Sequence, residues 1–290
     1  MKAFIDWVLA QRVRPIVLAV VAAPLLQPVA AAFIALETTQ RDFAGGVICA
    51  LGALAGVLGI AAIAGADTNF FAAIGVVCAV SGVGIGMLIR RAGNLVLAFQ
   101  AALLVAMMLV AAIWIVGFDV RSLFAPAVQD FIELLGSNDM PAADVAVIEE
   151  RGAAVVFAAL VFWQLVGTLL LGYWWFLLAT RQRRFGQEFR RLALGRALGA
   201  IATALIVLAL AFDFDLVQNL APLAGYGFIL QGVAVVHAWA HAKRWPPGLV
   251  APLYVLMLVP VLNVLVVVPL GLVGVVDNWF DLRALIRPQT

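Results

Sequence analysis

Charge is scarce in this chain: only 12% of its 290 residues are Asp, Glu, Lys or Arg, and 18 Lys+Arg against 16 Asp+Glu leave a formal net charge of +2. That is about half the charged share of an ordinary soluble domain, so the total says little and the placement of the charges along the chain carries the information. Histidine and cysteine occur twice each. Cys49 and Cys78 lie inside apolar runs with no His or Cys neighbour, so they form no metal box and say nothing about redox compartment. His237 and His241 are four apart on one helix face, but without the Glu of HExxH or a third ligand they complete no metal site. No GxSxG elbow or P-loop is present, and no acid/base or nucleophile constellation is legible. The reading is therefore no enzyme and no cofactor, and ATP-driven transport would need a partner. Internal repeats and Pro- or Ser/Gly-rich linkers are missing too, which predicts one membrane domain over 1–290.

What is abundant is apolar residue, 66% of the chain, at a mean hydropathy of +1.11. Eight apolar runs approach or exceed the roughly 20 helical residues that cross a hydrocarbon core: 15–36, 44–64, 70–89, 95–117, 153–180, 197–212, 220–242 and 247–276. They are continuously apolar instead of alternating, so they read as helices and not as barrel strands. The expected fold is all-α, a polytopic helical membrane protein of six to eight spans. Asp6 and Pro24 make the first run an awkward signal peptide, and it is expected to be retained.

Charge placement orients the runs. Residues 181–196 carry Arg181, Arg183, Arg184, Arg190, Arg191 and Arg196 against Glu188 alone, whereas 118–152 carries seven acids against Arg121 and Arg151. Basic connections stay cytoplasmic, which puts 181–196 inside and 118–152 outside. Simple alternation through eight spans would export both termini with their cations. If the first and last runs each enter and leave on one face, 16 cations fall inside and 2 outside. Pro24 and Pro28 flank Gln27 in the first run, and Pro260 and Asn263 sit midway in the last, so both terminal segments are read as Pro-broken, with both termini cytoplasmic.

Val120, Phe124, Val128, Phe131, Ile132 and Leu135 recur near helical spacing opposite Arg121, Gln129, Asp130 and Glu133, which predicts an amphipathic helix along the outer interface. Asp139 and Pro141 then read as the start of a helix running toward the fifth span. The Arg-rich loop, interleaved with Phe185, Phe189, Leu192 and Leu194, predicts contact with anionic lipid headgroups, or docking of a membrane or cytoplasmic protein; nucleic acid is disfavoured for so short a tethered stretch. Polar side chains inside the runs need partners or a wet cavity. Gln100, Gln164, Gln231 and His237 are accordingly the candidate ligand-binding residues, with interhelical packing bonds as the alternative role.

Gln231-Gly232 with His237, a Pro-broken run, and then GLVGVVDNWFDLR from Gly271 to Arg283 resemble the uncharacterised YybS-like bacterial membrane protein family, as does GMLIRRAGNLVLAFQAALL from Gly86 to Leu104. The resemblance implies a polytopic inner-membrane protein, distantly similar to the substrate-binding S-components of energy-coupling-factor vitamin transporters and to the rod-shape protein MreD. It carries no activity with it. Gly271, Gly274, Asp277, Trp279, Asp281 and Arg283 match the terminal motif, and Asp277 is expected to pair with Arg283 or an Arg of the basic loop. Two functions remain open: a small-molecule-binding or transport component with a polar cavity under 118–152, and a non-catalytic scaffold that binds partner proteins.

Overall fold

A computed structural model describes residues 1–134, 142–259 and 263–286. Among them there is helix and connecting turn but no strand. Among the described residues five helical stretches are long and apolar enough to cross a membrane: Phe43–Ala64 (α4), Thr68–Ala92 (α5), Leu95–Ile115 (α6), Arg151–Ala179 and Asp215–Ala242 (α12). Val13–Ala22 (α2), Gly195–Ala211 (α11) and Val264–Phe280 (α14) are apolar but shorter. The chain divides into two compact units, Met1–Ala102 with Trp163–Phe189, and Leu103–Phe162 with Arg190–Thr290.

In the first unit the run 15–36 is two half-helices, α2 and Gln27–Gln40 (α3), preceded by the short α1, Lys2–Leu9. Pro24 has no N–H with which to extend α2, and Leu26 turns out of helical geometry (φ −143°, ψ 77°), so the chain reverses at 23–26. Both feet of this hairpin stand at α1. Arg14 donates to the Trp7 carbonyl (2.6 Å) and Arg41 to the Leu9 carbonyl (3.4 Å). Arg90, at the end of α5, donates to the Thr38 carbonyl (3.1 Å) at the same end of the unit. The 22 apolar residues 15–36 are few for a hairpin, and α3 lengthens it by continuing through Glu37 to Gln40, with Glu37 buried and paired to Arg41 (2.7 Å). Glycine lets α3 and α5 touch: a Cβ at Gly82 would lie 2.7 Å from the Ala31 carbonyl oxygen. Caps set the α4–α5 boundaries. Asp42 and Asp67 accept from backbone N–H groups of the following first turns, and Gly65 and Gly93 end α4 and α5 in the left-handed conformation.

The stretch Arg151–Ala179 joins Ala142–Phe162 (α8) to Thr168–Ala179 (α9) through one π-helical turn, Trp163–Gly167. Such turns insert a residue into a helix and recur at functional positions.

In the second unit α12 packs on α8, α11 and α14. Val120–Leu134 (α7) is the amphipathic helix the sequence predicts, and its buried Val128 and Ile132 pack against Ala153 of α8. Its apolar side is thus covered by protein at these positions, while Phe131 is exposed. Leu135, Asp139 and Pro141 lie outside the described residues, as does Pro260. The run 247–276 is again divided, into Ala251–Leu258 (α13) and α14.

Candidate functional site

The first unit gathers two polar clusters. In one, Glu188 of the short helix Phe185–Phe189 (α10) is the sole acid of the Arg-rich loop, and it is buried. It accepts from the Leu95 N–H (2.7 Å) and the Tyr173 hydroxyl (2.6 Å) and pairs with Arg184 (2.8 Å), so it supplies an acceptor to the first turn of α6. Sequence reasoning read the loop by its arginines and gave Glu188 no role. Removing the carboxylate leaves a buried N–H and a buried hydroxyl unmet. Glu188→Ala is expected to lower stability by about 2–3 kcal/mol, with Glu188→Gln intermediate because the amide keeps an acceptor; denaturant unfolding followed by circular dichroism in detergent measures both. Arg181, Arg183, Arg191 and Arg196 are exposed, as lipid or partner contacts require, whereas Arg190 is half-buried.

The second cluster surrounds the hairpin tip. Gln164, in the π turn, donates to the Ser81 hydroxyl (2.6 Å), and Ser81 donates to the Val77 carbonyl (2.6 Å). Thr168 donates to the Gln164 carbonyl and faces the Pro28 carbonyl at 3.5 Å. Gly167 lies against the Pro28 ring. Gln100, also a candidate from the sequence, is half-buried on α6.

In the second unit Gln231 is fully buried, accepts from the Leu194 N–H (2.9 Å) and donates to Asp277 (2.8 Å). Arg283 clamps the same carboxylate through Nε (3.1 Å) and its terminal nitrogen, and donates to the Arg190 carbonyl (2.8 Å). The pair expected within the terminal motif is therefore present, and Gln231 is part of it. Gly274 of that motif lies against the Phe228 carbonyl, where α12 and α14 cross; Gly271 is near Ile229; Trp279 donates weakly to Thr203 (3.4 Å); Asp281 ends α14 in the left-handed conformation. His237 shares a hydrogen bond with Tyr254 of α13, away from Gln231 on the same helix. Gln231 thus bonds toward α14 and His237 toward α13.

Open space in this unit lies elsewhere. A cavity of about 150 Å³ is lined by Arg151 and Val155 of α8, Asp213 of the α11–α12 turn, and Asp215, Gln218 and Asn219 of α12. Arg151 and Asp213 approach to 3.6 Å across it. An adjoining cavity of about 130 Å³ shares Val120, Asp215 and Asn219 and adds Asp119, Trp114, Phe118 and Phe157. Pro222 also lines the first cavity; having no N–H, it leaves the Gln218 carbonyl without its helical partner. Asp215 and Asn219 share a helix face by spacing, but nothing in the sequence joins Asp213 and Asp215 to Arg151, more than 60 residues away.

No family model, curated protein or solved structure matches this chain.

Proposed function

We propose that this chain is a multi-pass membrane protein that binds a small organic cation on its outer face, as the ligand-binding part of a transport system. The observation that carries the reading is the pair of adjoining cavities, whose lining gathers the carboxylates of Asp119, Asp213 and Asp215 with Arg151, beside Trp114, Phe118 and Phe157. Carboxylates and aromatic faces both favour an ammonium group, and the apolar wall suits a hydrocarbon or ring portion. Several features support the placement. Phe118, Asp119, Val120 and Arg151, from the two ends of the acidic connector 118–152, line the cavities, and the positive-inside asymmetry of the sequence reads that connector as outside. In the same orientation the α2–α3 hairpin opens to the cytoplasm, Arg181 to Arg196 meet anionic headgroups of an inner membrane, and the N-terminus stays cytoplasmic. The likeness to the YybS-like family, and through it to S-components, agrees with a binding subunit that lacks its own ATPase.

Native mass spectrometry of the protein released from detergent, followed by titration of a primary-amine panel against tryptophan fluorescence, tests the reading. An amine is expected to bind, and Asp215→Asn to weaken it at least tenfold. A protein that carries no non-lipid adduct and responds to no member of the panel has another function.

A further inference from the structure

The hairpin tip in the first unit holds more oxygen than hydrogen. The single hydrogen of Thr168 goes to the Gln164 carbonyl, that of Ser81 goes to Val77, and the Gln164 amide nitrogen donates to Ser81. Thr168 Oγ1 also reaches the Pro28 carbonyl at 3.5 Å, so its one hydrogen, held closely by the Gln164 carbonyl, is at most shared between the two and leaves a lone pair on Oγ1 free. Gln164 is 8% exposed, and its Oε1 is buried with no donor at all. A buried acceptor left unmet costs about 1–3 kcal/mol, and this one sits beside a broken helix and a π turn, where helix geometry already loosens backbone carbonyls.

We propose that this cluster is a binding site for one alkali cation, Na⁺ or K⁺, held by Gln164 Oε1, Thr168 Oγ1, Ser81 Oγ and the Pro28 carbonyl oxygen. All four ligands are neutral oxygens, and no carboxylate is among them. That set suits a weakly held monovalent ion and lacks the charge that calcium or magnesium sites use. Discontinuous helices whose carbonyls and hydroxyls face one another inside a bundle are a recurrent way of coordinating a coupling ion. The site uses only the first unit and does not rest on the outer cavities.

The whole chain in nanodiscs, at fixed ionic strength in NaCl, KCl or choline chloride, gives the test. One alkali cation is expected to raise the unfolding midpoint saturably above that in choline, and equilibrium binding of radiolabelled Na⁺ or of a K⁺ surrogate to follow the same curve. Thr168→Val and Gln164→Leu should each weaken that response at least tenfold. Should the Leu variant fail to fold, Gln164→Asn, which keeps the carbonyl but withdraws it, should weaken binding, and Gln164→Glu should tighten it. Equal midpoints for the unaltered protein in all three salts would assign Oε1 to a buried water and overturn the proposal. So would a cation response that survives both Thr168→Val and Gln164→Asn.

Discussion

Asp277→Ala is expected to lower stability by about 3–5 kcal/mol, because it strands a partly buried guanidinium and a fully buried amide. Asp277 itself is 3% exposed and answers Arg283 and Gln231 together, while Gln231 also receives the Leu194 N–H. One substitution therefore breaks a network that ties α12, α14 and the segment before α11 to one another. Asp277→Asn keeps the shape and an acceptor but loses the charge, and should fall between. The network also determines what rescue looks like. Exchanging the charges in Asp277→Arg with Arg283→Asp restores an ion pair but sets the Gln231 amide hydrogens against a cation, so recovery should be partial. Replacing the pair by Asp277→Leu with Arg283→Met should recover more than the sum of the single losses allows, since removing both charges removes the uncompensated one. Denaturant unfolding of these variants, their component single substitutions and the unaltered protein in one detergent reads all of this.

The second large effect belongs to the helix crossing. A Cβ at Gly232 would lie 2.0 Å from the Leu270 carbonyl oxygen, and one at Gly274 would lie 2.0 Å from that of Phe228. In each case the obstacle is backbone, which cannot rotate aside as a side chain can. Gly232→Ala or Gly274→Ala must push α12 and α14 apart along their whole contact, and each is expected to cost about 3 kcal/mol, the upper part of the overpacking range. Gly225, on the same helix but with open space around its Cβ position, gives the comparison: Gly225→Ala should be neutral or slightly stabilising. If the three alanine variants unfold together, the close crossing is not a source of stability.

Much of this architecture was legible from apolar run length. Helices α4, α5, α6 and α12 fall where runs of lipid-spanning length predict them, since in lipid a continuous apolar stretch has helix as its way of satisfying the backbone. Proline made the broken ends readable as well: Pro24 marks the reversal between α2 and α3, and the last run divides near Asn263. The Asp277 and Arg283 pair was legible because two opposite charges six residues apart beside an apolar run have few other partners. What pattern could not show was which distant polar groups meet. Gln164, Gln231 and His237 are equally polar in the sequence, yet Gln231 completes an ion-pair network, His237 meets Tyr254, and Gln164 alone of the three keeps a buried acceptor without a donor. The two cavities escaped for the same reason: their lining comes from α6, α7, α8 and α12, and only the folded chain brings Asp119, Arg151 and Asp215 to one place. The π turn has no composition of its own, and Trp163–Gly167 reads as ordinary apolar helix.

The most direct measurement is cysteine labelling at the cavity mouth. Cys49 and Cys78 are buried and can be replaced by Ala, after which Asn219→Cys carries the one thiol beside both cavities. In intact cells a membrane-impermeant maleimide is expected to label that thiol from outside, and the amine selected by titration to protect it in a concentration-dependent manner. Labelling only after the cells are opened, or labelling from outside that no amine slows, contradicts an outward-facing site for a small organic cation.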